Sequence, residues 1–110
     1  MKRLTYYIGL HAPTSTNDAA SVTERRTMAL DLLAGAYDAL TVADVTGMWE
    51  GIEEPSLRVE VIIGEPEAEA GFTRTEQAHE IARDLALTLN QDAVGLSIET
   101  LADFRIITQD

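Results

Sequence analysis

Hydrophobic and polar positions alternate along several segments of the chain, a pattern typical of β-strands with one buried face. The alternation is clearest at Leu57–Ile63 and is also present at Arg3–His11. Less regular β-rich segments at Leu40–Trp49 and Val94–Ile98 predict two further strands. We expect a short fifth strand at Phe104–Thr108.

Two other segments repeat apolar residues every three or four positions, as amphipathic helices do. These segments lie at Ala29–Leu40 and Ala78–Leu89, and each follows a Ser/Thr-x-x-Glu sequence, Ser21–Glu24 and Thr73–Glu76. Because this spacing permits a capping box, we expect the helices to start there. The first helix should weaken between residues 35 and 38, where Gly and Asp are poor helix formers.

The order strand, helix, strand, strand, helix, strand predicts one α+β domain over residues 1–110, of the ferredoxin-like split βαβ type. Such a domain has two helices on one face of an antiparallel sheet, here with a short extra C-terminal strand. A length of 110 residues fits a single domain of this kind.

If both helices cover one face of the sheet, the opposite face stays uncovered and can make contacts. Counting alternate positions predicts which candidate binding residues share this face, and Gly47 suggests a bulge or a bend beyond which the alternation is not counted. The candidate residues are Tyr7, His11, Val42, Asp44, Arg58, Glu60 and Ile62. Exposed apolar strips of this kind usually mark contact sites, so we expect self-association, with a dimer as the first expectation, or docking on a partner protein. A small ligand is an alternative occupant.

The chain is strongly acidic, and this restricts its partners. Nineteen Asp and Glu residues against eight Lys and Arg give a formal charge of −11. Such a field repels phosphate, so we expect no direct contact with nucleic acid or with a membrane surface. The acidic residues are concentrated between Glu50 and Glu80, including Glu65, Glu67 and Glu69. A solvated surface is the ordinary interpretation, and an inhibitor that imitates nucleic-acid phosphates is the alternative.

Motifs for catalysis are missing from the sequence. The chain has no Cys, its two His residues lack metal-site spacing, and no Gly-rich phosphate loop occurs. We therefore expect a cytoplasmic interaction module that is not an enzyme and needs no metal or cofactor. A small cofactor-independent enzyme, with a pocket near Tyr7 and His11, is the alternative. The single tryptophan, Trp49, is expected to cap the core or to anchor a partner.

One set of segments also resembles a known group of proteins. Leu40–Trp49, Glu54–Ser56 and Leu89–Val94 are similar in order and spacing to small α+β proteins of unassigned function from actinobacteria and their phages. The resemblance implies a ferredoxin-like accessory protein, of phage origin and acting in a host cytoplasm. It implies no functional residues.

Overall fold

The computed structural model describes residues 1–11, 19–49, 51–64, 73–91 and 93–109, except for the side chains of residues 19–21 and 49. In chain order these residues form six helices and strands: β1 (Lys2–Gly9), α1 (Ala19–Ala36), β2 (Thr41–Trp49), β3 (Ile52–Ile63), α2 (Arg74–Thr88) and β4 (Gly95–Thr100).

The four strands form one antiparallel sheet in the order β2-β3-β1-β4. The central strand β1 lies between β3 and β4, with Tyr6 opposite Val59 on one side and Leu96 on the other. Because sequence neighbours β1 and β2 are separated by β3, α1 serves as a crossover connection. This topology confirms the predicted ferredoxin-like α+β fold.

Both helices pack on one face of the sheet, where the alternating apolar residues form the core. From β1 and β3 the buried residues are Leu4, Tyr6, Ile8, Leu57, Val59, Val61 and Ile63. The helices contribute Ala29 and Leu33 from α1 and Ala78, Ile81, Ala82 and Leu85 from α2. The alternation in β1 and β3 therefore identified the buried face correctly.

Two tyrosines place a polar contact inside this core. The hydroxyl groups of Tyr6 and Tyr37 lie 2.7 Å apart, and the Tyr6 hydroxyl is 3.4 Å from the carbonyl oxygen of Ala78. Burial raises the pKa of both tyrosines, and for Tyr6 the bond to Tyr37 raises it further. The contact joins β1 to Tyr37, which follows α1, and to α2. Each buried hydroxyl thereby has a polar partner.

The helix starts agree with the sequence at one of two places. Thr73 caps α2 through a capping box with Glu76, as predicted. The capping box at Ser21 is wrong, because α1 starts at Ala19 and Ser21 lies inside the helix. The first helix ends at Ala36, within the segment that Gly35 and Asp38 were expected to weaken.

The long β2–β3 hairpin extends past the end of β1. Gly9 ends β1 opposite Ser56, so the hairpin from Thr46 to Pro55 has no third strand beside it among the described strands. The register of β2 is continuous through Gly47, so of the expected bulge or bend there, the bulge is wrong. The radius of gyration is 15.1 Å, above the roughly 13 Å of a compact domain of this size.

The expected fifth strand does not form within the single chain. The backbone of Leu101 still donates to the carbonyl oxygen of Met1, at 2.9 Å, but residues 102–109 are not paired with any described strand. Among the described strands, β1 and β4 are the nearest to this segment, and neither continues alongside it.

Candidate functional site

One face of the sheet carries neither helix, and we call it the uncovered sheet face. The strand registers place side chains there in rows that run across β2, β3, β1 and β4. The two central rows are Thr41–Glu60–Thr5–Ser97 and Ala43–Arg58–Tyr7–Gly95. One flanking row contains Ile62, Arg3 and Glu99. On the other side of the central rows, the next row contains Val45, Ser56 and Gly9, and the one after it contains Gly47 and Glu54.

Tyr7 is the largest side chain exposed at the centre of this face. Half of its surface is accessible, and its Cβ lies 3.2 Å from where a Cβ on Gly95 would sit. The ring therefore lies over a strand position that has no side chain of its own. The neighbouring Thr5 is only 6% exposed although no helix covers it, so surrounding side chains already shield part of this face from water.

The charged groups of the uncovered sheet face are largely paired with each other. Arg3 contacts both carboxylate oxygens of Glu99, at 2.5 and 2.7 Å, and these contacts raise the pKa of Arg3. Arg58 lies 4.0 Å from Glu60. Exposed pairs of this kind contribute little to stability, about 0–1 kcal/mol. Their effect here is to bring the net charge of the face closer to zero.

A fifth charged residue, Glu54, completes the set on the face. Its carboxylate occupies the space beside Gly9, only 2.5 Å from where a Cβ on that glycine would sit. With Arg3 and Arg58 against Glu54, Glu60 and Glu99, the described residues of the face carry a net charge of −1. The whole chain carries −11.

Two of the predicted site residues lie on the opposite side of the sheet. Val42 is opposite Val59, and Asp44 is opposite Leu57, so both side chains lie on the helix-covered side. Their assignment to the uncovered sheet face is wrong. The structure instead joins Asp44 to Arg26 of α1, with 2.8 and 3.1 Å between donors and acceptors, and this contact lowers the pKa of Asp44.

Of the remaining predicted site residues, four lie on the uncovered sheet face, one follows β1, and the side chains of the others lie outside the described residues. Tyr7, Arg58, Glu60 and Ile62 lie on the uncovered sheet face, as expected. His11 follows the end of β1 and is half-buried, and its carbonyl oxygen accepts a hydrogen bond from Gln91. Trp49 ends β2, but its side chain lies outside the described residues, as do Glu65, Glu67 and Glu69.

A second concave region lies between α1 and the projecting hairpin, and we call it the hairpin cleft. Its volume is about 520 Å³, within the range of small-molecule sites. Apolar side chains in its lining include Leu10, Val22 and Pro55. The charged residues that line it are Arg26, Asp44, Glu53 and Glu54. Because acidic groups outnumber the single arginine, the cleft favours a cationic occupant.

Sequence patterns gave no indication of the hairpin cleft. Its two sides come from α1 and from the hairpin, and the Arg26–Asp44 contact joins them. Nothing in the spacing of these residues marks them as neighbours. Among the described residues no group of three or more His, Asp or Glu side chains could hold a metal ion. None of the described helices is long and apolar enough to cross a membrane.

Comparisons with known proteins identify the fold but no family. No protein-family model matches the chain, and no curated protein does. A crystal structure of a DUF3240 family protein from Shewanella baltica OS155 aligns with a TM-score of 0.55 at 11% identity, covering 97% of each chain. This likeness supports the small α+β fold described above.

A phage SAM lyase has the same general architecture. Its apo structure aligns with a TM-score of 0.57 at 15% identity, covering 89% of this chain and 78% of the lyase. Its complex with S-methyl-5′-thioadenosine aligns equally well at 14% identity, covering 89% and 79%. The expectation that this chain is not an enzyme is therefore wrong. A closely similar fold supports catalysis in the lyase, and missing motifs do not exclude it here.

Proposed function

We propose that this protein acts as an assembly of identical chains that pack through the uncovered sheet face. The observation that carries the proposal is electrostatic. A chain with a charge of −11 repels its own copies, yet the described residues of this face have a net charge of only −1. A face with so small a net charge adds little repulsion between two copies that meet there.

The side chains of this face also suit contact with a second sheet. Tyr7 offers a large, rigid and half-exposed ring, a residue type favoured in interfaces. In the same row, beyond Arg58, the small side chain of Ala43 leaves space into which a partner ring can fit. A two-fold dimer, the commonest symmetric oligomer, would place Tyr7 of each chain near the other.

The test introduces a charge at the centre of the face. Tyr7→Glu and Ile62→Glu should each lower the molar mass measured by light scattering toward the 12.0 kDa of one chain, because a desolvated carboxylate is costly. Leu87→Glu is the matched control, since Leu87 is 74% exposed on α2 and lies off the face. A mass that all three variants share with the unaltered chain would refute the proposal.

A second candidate function is the binding of an adenosine thioether or sulfonium compound in the hairpin cleft. The cleft has the volume for such a ligand and combines apolar with acidic lining residues. The SAM lyase with the similar fold was solved with S-methyl-5′-thioadenosine. SAM carries a positive sulfonium, which suits the Glu53 carboxylate in the lining, whereas the Asp44 carboxylate is already paired with Arg26.

Calorimetry with both compounds tests this second candidate. We expect S-methyl-5′-thioadenosine and SAM to bind the unaltered chain, and Glu53→Gln to weaken SAM more than the neutral thioether. Glu80→Gln removes an equal charge from the exposed surface of α2 and serves as the control. Chromatography of the same SAM samples after incubation detects turnover. No heat from either ligand at millimolar concentration would exclude the candidate.

A further inference from the structure

The C-terminal segment, residues 102–109, has the composition of a strand but no partner strand. Phe104, Ile106 and Ile107 are apolar and exposed, the two isoleucines at 81% and 83%. No hydrogen bond joins the backbone of this segment to another described residue. Arg105 contacts only Asp103, two residues away. A β-branched segment that exposes both its apolar side chains and its backbone groups can pair with a free strand edge.

The outer edge of β2 also lacks a partner strand among the described strands. This strand has nine residues and pairs only with β3 among the described strands. Proteins usually protect such an edge with Lys, Pro, a bulge or a very short strand. None of these occurs between Thr41 and Trp49, whose register is continuous and whose single charge, Asp44, is paired with Arg26. The other edge strand, β4, has only six residues and carries Glu99.

The segment cannot pair with the β2 edge of its own chain. It leaves the sheet beside β1 and β4, and β2 is the far edge strand of the order β2-β3-β1-β4. Reaching the outer side of β2 means crossing about 19 Å of sheet at the usual strand spacing. Eight extended residues span roughly 26 Å, which would leave about two residues for pairing.

We propose that the C-terminal segment of one chain adds as a fifth strand to the β2 edge of a second copy. Charge permits this partner, because the segment's only charged residues, Asp103 and Arg105, are paired with each other, and the single acid of β2, Asp44, is paired with Arg26. The two neutral stretches can therefore meet despite the charge of −11 on each chain. In an added strand, Ile106 and Ile107 point to opposite sides of the sheet and lie beside β2 side chains such as Val42 and Val45.

This contact does not use the uncovered sheet face, so the two proposals can fail separately. The probe is a fluorescent peptide with the sequence of residues 102–109. Its receptor is the full chain carrying Ile106→Lys and Ile107→Lys, which disables the chain's own segment and leaves its β2 edge free. Both positions are exposed, so the receptor should keep its fold, and circular dichroism checks this.

We expect saturable peptide binding, measured by fluorescence anisotropy. A peptide methylated on the backbone nitrogens of Ile106 and Ile107 keeps its side chains, but one methyl blocks the ladder, so it should bind about tenfold more weakly. Hydrogen exchange should show protection at residues 41–49 and none at 95–100. Adding Tyr7→Glu to the receptor should not alter binding. Absence of saturation, equal binding of the methylated peptide, or protection at β4 alone would overturn the proposal.

Discussion

At the scale of single residues, the buried tyrosine pair shows how one polar contact ties separate parts of the chain together. Tyr6 is fully buried, and its hydroxyl has Tyr37 and the carbonyl of Ala78 as neighbours. Removing one hydroxyl leaves the other without its main partner in a low-dielectric site. The desolvation cost of that orphaned group exceeds the value of the bond itself.

Tyr37→Phe should therefore lower the free energy of unfolding by about 1–3 kcal/mol in urea titrations. Tyr6→Phe should cost a similar amount. The double variant should cost less than the sum of the two, because no orphaned hydroxyl remains. Strictly additive losses would show that the two hydroxyls do not interact.

At the scale of helices and strands, the sequence was informative wherever one face is fully buried. In β1 and β3 every second side chain enters the core, and the alternation of Leu57, Val59 and Val61 identified the buried face. In the edge strand β2, neither face is fully buried, so hydrophobicity does not specify which side Val42 occupies. This is why Val42 and Asp44 were assigned to the wrong side.

The predicted strand at Phe104–Thr108 was wrong for a different physical reason. The residues of this segment favour a strand, but a strand also needs a neighbouring strand to pair with. In the sheet, β1 does not extend alongside these residues. Likewise, the hairpin cleft depends on Arg26 meeting Asp44 across α1 and β2, which no local pattern encodes. Contacts between distant elements were the part that sequence reasoning could not supply.

The turn of the β2–β3 hairpin gives a prediction at this scale. Gly51 has a φ of 79°, in the left-handed region, and nothing lies within 4 Å of an added Cβ. Gly51→Ala should therefore destabilise the protein through backbone strain alone, by about 1 kcal/mol. Gly35→Ala is the matched control in helix α1, where an added Cβ also meets nothing.

Gly35→Ala should raise stability by about 0.5–1 kcal/mol, because alanine is the better helix former. Thermal unfolding of the two variants should thus shift in opposite directions from the unaltered protein. Equal shifts would contradict the assignment of left-handed backbone to Gly51 alone.

At the scale of the whole molecule, the main feature is the uneven distribution of charge. The whole chain carries a net charge of −11, but its uncovered sheet face carries only −1. Strand β2 and the C-terminal segment are also nearly neutral. Two copies of the chain repel each other less where these nearly neutral surfaces meet.

Sedimentation equilibrium of the unaltered chain over a hundredfold concentration range tests most directly whether the protein assembles. The account predicts an average mass that rises with concentration above 12.0 kDa, and Tyr7→Glu should reduce this rise without abolishing it, because the contact at the β2 edge does not involve Tyr7. A mass of one chain at every concentration would contradict it.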